Sequence, residues 1–157
     1  MQVAVVILFT LLAVISRGQS FQPLDSLVKE IDNYTGDIKS DTLTLYRWNA
    51  STGRTNFTTV AEIKRDNSSK KPLRIAFKND QEFISFYYRN GRAVAAKVHS
   101  SVRFPSWNGK SVNLEHTQFG DIIISDPDDQ SESNVSQLLA SDGHSWLKHF
   151  VNVEKSK

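Results

Sequence analysis

Apolar positions in this chain change their spacing twice. From Val3 to Ile15 they form one unbroken apolar and hydroxyl run; at Leu24, Leu27, Val28 and Ile31 they recur at i, i+3, i+4 and i+7; beyond Asp41 they alternate with polar residues. The second spacing is that of a helix with one apolar stripe, so it predicts a helix over 23–34, with Pro23 in its first turn and Gly36 at its end. The third is the period of strands with one buried face. It assigns Leu43 and Leu45 to one strand, Phe57, Thr59, Ala61 and Ile63 to a second, and Leu73, Ile75 and Phe77 to a third, with Asn56, Thr58 and Glu62 pointing away from the second strand's core face.

Asn90-Gly91 is the favoured pair for a two-residue type I′ turn and lies between two apolar runs, 83–89 and 92–98. The predicted hairpin pairs Tyr88 with Ala93, Tyr87 with Val94, Phe86 with Ala95 and Phe83 with Val98. Apolar residues on both faces of its first strand place that strand centrally. After a turn at 105–109, shorter strands are expected at 111–116 and 119–124, then an acidic loop over 126–132, a short helix carrying Val135, Leu138 and Leu139, and a last strand over 146–153. The expected fold is mainly β (α+β): an antiparallel sheet or partly closed barrel of about seven to eight strands, with an N-terminal amphipathic helix and a short C-terminal one.

The opening run of thirteen residues is too short to span a bilayer of about 30 Å and reads as the core of a secretory signal peptide. Gly18 and Ser20 supply small residues for cleavage, which divides the chain into a signal peptide, 1–20, and a single secreted β-rich domain, 21–157. Cleavage after Ser16 or Gly18 is the alternative. Export agrees with five N-x-Ser/Thr sequons, at Asn33, Asn49, Asn56, Asn67 and Asn134. No second apolar stretch is long enough for a membrane span. The chain has no cysteine, so disulfides, thiolate metal sites and cysteine nucleophiles are excluded, and packing alone must hold the domain together.

Charge is unevenly distributed. The whole chain carries a net +2, but 64–110 holds eleven Lys and Arg against three Asp and Glu, whereas 111–147 holds seven acidic residues and no Lys or Arg. Strand periodicity makes Arg74, Lys78, Arg89, Arg92 and Lys97 a candidate anion-binding face. Arg89 and Arg92 oppose each other at the hairpin tip, an unfavourable pairing unless an anion is shared. The rival reading is that basic and acidic segments neutralise each other or are simply solvated. Tyr46, Trp48 and Trp107 are candidate aromatic recognition residues, set against a role in covering the core.

Motifs for chemistry fail residue by residue. Gly143-His144-Ser145-Trp146-Leu147 lacks the closing glycine of a nucleophile elbow. Gly109-Lys110-Ser111 lacks the opening glycine of a phosphate loop, since Phe104 stands there. His144 and His149 are five apart, on different faces of a helix or strand; strand pairing could bring His99 and His116 together, but with Glu115 pointing the other way they read as surface or core histidines. In the Asp126, Asp128, Asp129 and Glu132 segment, Gln130 and Ser131 occupy the places where an EF-hand needs Asp and Gly. Glu115 and Asp121 are a carboxylate pair of the kind any acidic chain contains. No catalytic residue, metal or cofactor is assigned. The sequence favours a secreted, N-glycosylated, non-enzymatic recognition module for an extracellular protein or anionic glycan, in host defence or as a secreted effector. It does not favour nucleic acid, and it leaves the oligomeric state open. The alternatives are an apolar-ligand carrier lined by Phe86 and Tyr87, and an extracellular hydrolase using Glu115, His116 and Asp121.

Overall fold

The computed structural model describes residues 23–49, 53–78, 83–99, 105–118 and 131–155; within these ranges the side chains at 46–49, 55, 57, 83, 105 and 153–155 fall outside the description. The chain runs α1 (Leu24–Asn33), β1 (Asp37–Asn49), β2 (Gly53–Arg65), β3 (Pro72–Lys78), β4 (Phe83–Arg89), β5 (Arg92–Val98), a 3-10 turn (Pro105–Trp107), β6 (Ser111–Asn113) and α2 (Glu132–Lys155). Among the described residues six strands form one antiparallel meander in the order β1-β2-β3-β4-β5-β6. The fold is therefore mainly β with a helix at each end, as the periodicity predicts, and the sheet is open. The strand expected at 119–124 lies outside the described residues.

Each helix covers one face of the sheet. Leu27, Val28 and Ile31 of α1 bury against Tyr87, Val94 and Ala95, with Leu24 and Leu73 at the margin. On the opposite face, Val135, Leu139, Ala140, Leu147 and Phe150 of α2 close over Ala61, Ile63, Ile75, Ile84, Phe86, Tyr88, Ala96, Val98 and Val112. Phe77 sits within 4.6 Å of Trp146 and 6.3 Å of Phe86, centroid to centroid. β4 is thus the central strand, with Phe86 and Tyr88 facing α2 and Tyr87 facing α1. Both clusters are apolar surface removed from water, the dominant favourable term in a chain without cross-links.

The C-terminal expectation is overturned: in place of a short helix and a strand over 146–153 there is one helix of 24 residues. Among its buried positions, Val135, Leu139, Gly143, Leu147 and Phe150 step by four, four, four and three, with Ala140 beside Leu139, which keeps them on one side of a 3.6-residue helix. Gly143 resembles a break in sequence but sits where the helix presses on the sheet. A Cβ there would lie 2.9 Å from Phe86 Cδ1 and 3.0 Å from Ala93 Cβ. The buried Tyr88 hydroxyl donates to the Gly143 carbonyl at 2.9 Å.

The Asn90-Gly91 hairpin forms as expected, with φ of 53° and 74° at the two turn residues, the left-handed values that type I′ requires. Its register departs from expectation after the first pairs. Tyr88 faces Ala93, but Tyr87 faces Ala95, Phe86 faces Ala96 and Ile84 faces Val98, because Val94 is an extra residue in a bulge. The bulge turns Val94 and Ala95 together toward α1, and the Val94 carbonyl accepts from Leu114 N at 2.9 Å just beyond β6. Gly36 does not cap α1, which ends at Asn33 with Tyr34 extended. Instead a Cβ at Gly36 would collide with the Arg65 carbonyl and the Tyr34 ring, so the residue is needed for close passage.

The β1–β2 hairpin is longer than the rest of the sheet. β3 pairs with β2 only from Val60 to Arg65, so among the described residues the seven pairs from Leu43↔Thr59 to Asn49↔Gly53 form a two-stranded ribbon beyond β3.

Candidate functional site

Strand parity gathers the five cations singled out by sequence onto the α1 face. Ile75 and Phe77 pack toward α2, which puts Arg74 and Lys78 on the other side; Ser85 faces Lys97 in register, and Tyr87 shares this side. Alternation carries Arg89 there too, and its direct partner across the hairpin is Arg92. Helix α1 lies over the Tyr87 row. Lys78, Ser85 and Lys97 flank it toward one end of the strands, and Arg89 with Arg92 lies toward the other, about 13 Å from Ser85 at about 3.3 Å per residue along β4.

Arg74 organises the site. Its Nη1 donates to Glu62 Oε1 at 3.4 Å and its Nη2 to Ser85 Oγ at 3.3 Å, while Nε lies 3.3 Å from Asp32 Oδ1 in an ion pair whose N–H is not aimed for a hydrogen bond. The guanidinium also stands 5.9 Å from the Tyr87 ring centroid. Tyr87 Oη donates to the Asp32 carboxylate at 3.3 and 3.4 Å. Asp32 is on α1, so this network ties the helix end to β2, β3 and β4. A second tie is Lys64, whose buried Nζ donates to the carbonyls of Ile31 at 3.1 Å and Asp32 at 2.7 Å. The last turn of α1 contains no basic residue of its own. Lys64 therefore supplies from the sheet the positive charge that a helix C-terminus favours.

Electrostatics divide the cations into two kinds. Arg74 is held between two carboxylates and is a structural counter-charge rather than a free anion receptor; neither carboxylate belongs to the acidic segment 111–147. Glu62 also approaches Lys78, at 4.0 Å, but the Lys78 side chain remains 59% exposed. Lys97 is half-buried, and Arg92 is exposed at the tip. Burial pushes the Tyr87 hydroxyl up to about 12, with the Asp32 charge adding to the rise. His99, at the end of β5, is held below the ordinary imidazole value first by desolvation and then by the charges of Lys97 and Arg74.

The remaining sequence candidates are dispersed. Trp107 is half-buried against the α2-side core, with Lys110 Nζ 5.7 Å from its ring, so it covers a core edge. Tyr46 and Trp48 lie on the projecting ribbon, at the register positions opposite Asn56 and Arg54. Asn33, Asn56 and Asn67 are exposed and Asn134 is half-buried in the first turn of α2. Asn67 Oδ1 accepts from Asp37 N at 3.0 Å. Asn49 ends β1. Phe86 and Tyr87 face opposite sides of the sheet and do not line one cavity. Glu115 and His116 are exposed in the turn after β6, and Asp121 lies outside the described residues. Among the described residues no three His, Asp or Glu side chains are placed to hold a metal, and no helix is long and apolar enough to cross a membrane.

Sequence reasoning did not single out Asp32, Glu62, Lys64 or Ser85 as members of this site. The signal available for Lys64 and Glu62 was parity, since both fall on the polar side of a strand whose other side is Ala61 and Ile63. No protein-family model matches the chain, and no curated protein or solved structure matches it either.

Proposed function

We propose that this chain is an exported, N-glycosylated, non-enzymatic recognition module that holds a sulfated glycan on the α1 face of its sheet, in host defence or as a secreted effector. The observation that carries the reading is the parity of Lys78, Arg89, Arg92 and Lys97: four cations from three strands share one face of a rigid sheet. Arg74 is already neutralised by Asp32 and Glu62, so it orients the face and contributes little attraction. The two cation groups lie about 13 Å apart along β4. A polyanion with repeating charges spans such a gap, whereas a single small anion engages one end. Attraction of this kind is long-range and screened by salt, with a Debye length of about 8 Å at physiological ionic strength.

Heparin chromatography of the glycoprotein in a salt gradient tests this. The expected result is elution above about 0.15 M salt, moved to lower salt by Arg89→Ala with Arg92→Ala and further by Lys78→Ala with Lys97→Ala, with circular dichroism unchanged. Elution of the parent below that ionic strength overturns the reading. So does retention that ignores both double substitutions.

A further inference from the structure

From the geometry of the turn between β2 and β3 we infer that Asn67 is glycosylated and that its glycan, standing beside the Asn90-Gly91 tip, limits the access of a polyanion to Arg89 and Arg92. The inference rests on export and on the polyanion reading above. Asn67 opens the sequon Asn67-Ser68-Ser69 and is exposed, and the fold already orients its side-chain amide. The Asp37 backbone N–H donates to that amide at 3.0 Å, which requires the oxygen, Oδ1, at the contact. Nδ2, the atom that takes sugar, is on the other branch of the planar amide and points off this bond. In the modification Nδ2 loses a proton, a bond forms from Nδ2 to C1 of the first sugar, and the lipid diphosphate that carried the oligosaccharide leaves from C1. The export machinery supplies that donor. The product is still an amide whose carbonyl oxygen accepts from Asp37 N, so the fold keeps this contact when the sugar is added.

The turn that carries Asn67 is tied down on several sides. Asp66 Oδ1 accepts from Ser68 N at 3.1 Å and from Ser69 N at 2.6 Å, while Asp66 N donates to the Lys71 carbonyl and Lys70 N to the Asp66 carbonyl. The Tyr34 hydroxyl donates to Asp66 Oδ2 at 3.3 Å and accepts from Asn67 N at 3.1 Å. In the meander Arg65 pairs with Pro72, Arg74 with Tyr87 and Arg89 with Arg92, so the 66–71 and 90–91 turns leave the same end of the sheet. They are two strand spacings apart, about 10 Å at about 4.8 Å each. Asp37 is on β1, on the far side of β2 from that tip, so it is the amide oxygen, not the nitrogen, that is turned toward β1. Lys70 and Lys71 are exposed in the same turn and Arg92 is exposed at the tip, so a bulky, hydrated glycan rooted at Asn67 stands among the cations of this end. Asn49 and Asn56 lie toward the opposite ends of β1 and β2, and Asn134 is on α2, across the sheet. Asn33, the last residue of α1, also lies near this end and provides the comparison.

The test uses the full chain, leader included, secreted from a eukaryotic host. Peptide mapping reads occupancy, and heparin chromatography in a salt gradient compares the parent with Asn67→Gln, Ser69→Ala, Ser69→Thr and Asn33→Gln. Ser69→Ala removes the sequon but keeps the Asn67 amide and its bond from Asp37 N, so it carries the test if Asn67→Gln disturbs the turn. The expected outcome is an occupied Asn67, with Asn67→Gln and Ser69→Ala eluting at higher salt than the parent. Ser69→Thr, which keeps the sequon, should elute with the parent. The shift should at least halve when Arg89→Ala and Arg92→Ala are added, because the glycan then has less charge to screen. An empty Asn67 beside other occupied sequons overturns the inference while leaving export intact. So does an occupied Asn67 whose loss leaves elution unchanged, or a shift that follows Asn33→Gln and not the Asn67 and Ser69 substitutions. Parent and variants alike eluting below about 0.15 M overturn the polyanion reading and this inference together. A chain carrying no glycan at any sequon overturns the premise of export as well.

Discussion

Substituting Gly143 by alanine separates a reading of α2 based on local propensity from one based on its packing. In an exposed helix interior the change stabilises by about 1 kcal/mol, because glycine is the poorest ordinary helix former. Here the new methyl carbon would stand 2.9 Å from Phe86 Cδ1 and 3.0 Å from Ala93 Cβ. Phe86 is 2% exposed and Ala93 is fixed to the backbone of β5, so neither can step aside without moving the sheet or the helix. Overpacking of that kind costs about 1–3 kcal/mol. Any retreat of α2 also stretches the bond from the buried Tyr88 hydroxyl to the Gly143 carbonyl, now 2.9 Å, and an orphaned buried hydroxyl costs about 1–3 kcal/mol. The net expectation is a loss of about 1–3 kcal/mol. For a domain of this size that is a fall of about 3 °C in melting temperature per kcal/mol. Urea titration followed by far-UV circular dichroism measures it, with Tyr88→Phe as the control that isolates the hydroxyl bond. A Gly143→Ala protein more stable than its parent would refute the packing of α2 on β4 and β5.

Two further outcomes follow from the same face-by-face packing. Lys64→Met keeps the buried stem but removes the ammonium that caps the carbonyls of Ile31 and Asp32, so it should cost about 2 kcal/mol, read as a lower urea midpoint with faster amide exchange in α1; a change within about 0.5 kcal/mol of zero would contradict the capping role. Tyr87 has a folded value of about 12 against 10.0 for the ordinary hydroxyl, so the neutral form is favoured by folding. Its contribution is complete below about pH 10 and is lost as pH rises through about 12, so Tyr87→Phe should flatten the alkaline fall of the urea midpoint between those values, and an unchanged alkaline slope would contradict it.

Local pattern carried much of this fold. Helix α1 follows from four apolar residues at helical spacing, the hairpin from Asn90-Gly91, and the core faces of β2 and β3 from simple alternation. Each of these depends on neighbours within one turn or one strand, so the sequence exposes them directly. Helix α2 was hidden because glycine at the contact with the sheet carries no side chain to mark the stripe, and Ser141-Asp142-Gly143 has the composition of a turn. The aromatic residues after it, at Trp146 and Phe150, suit a strand as readily as a helix when the partner surface is unknown.

By itself, then, the sequence determined the cysteine-free, packing-dependent character of the domain, its mainly β composition, the central place of β4 and the cationic bias of 64–110, since all of these are sums or short-range periodicities. Tertiary structure decided the rest. It shifted the β4–β5 register through the bulge at Val94, sent Phe86 and Tyr87 to opposite cores, and used Asp32 and Glu62 to neutralise Arg74, which makes that cation structural. Those outcomes depend on groups up to 55 residues apart meeting at about 3 Å, as Asp32 and Tyr87 do. A hydrogen bond or ion pair is fixed by distance and direction in space, and neither is written in the spacing along a chain.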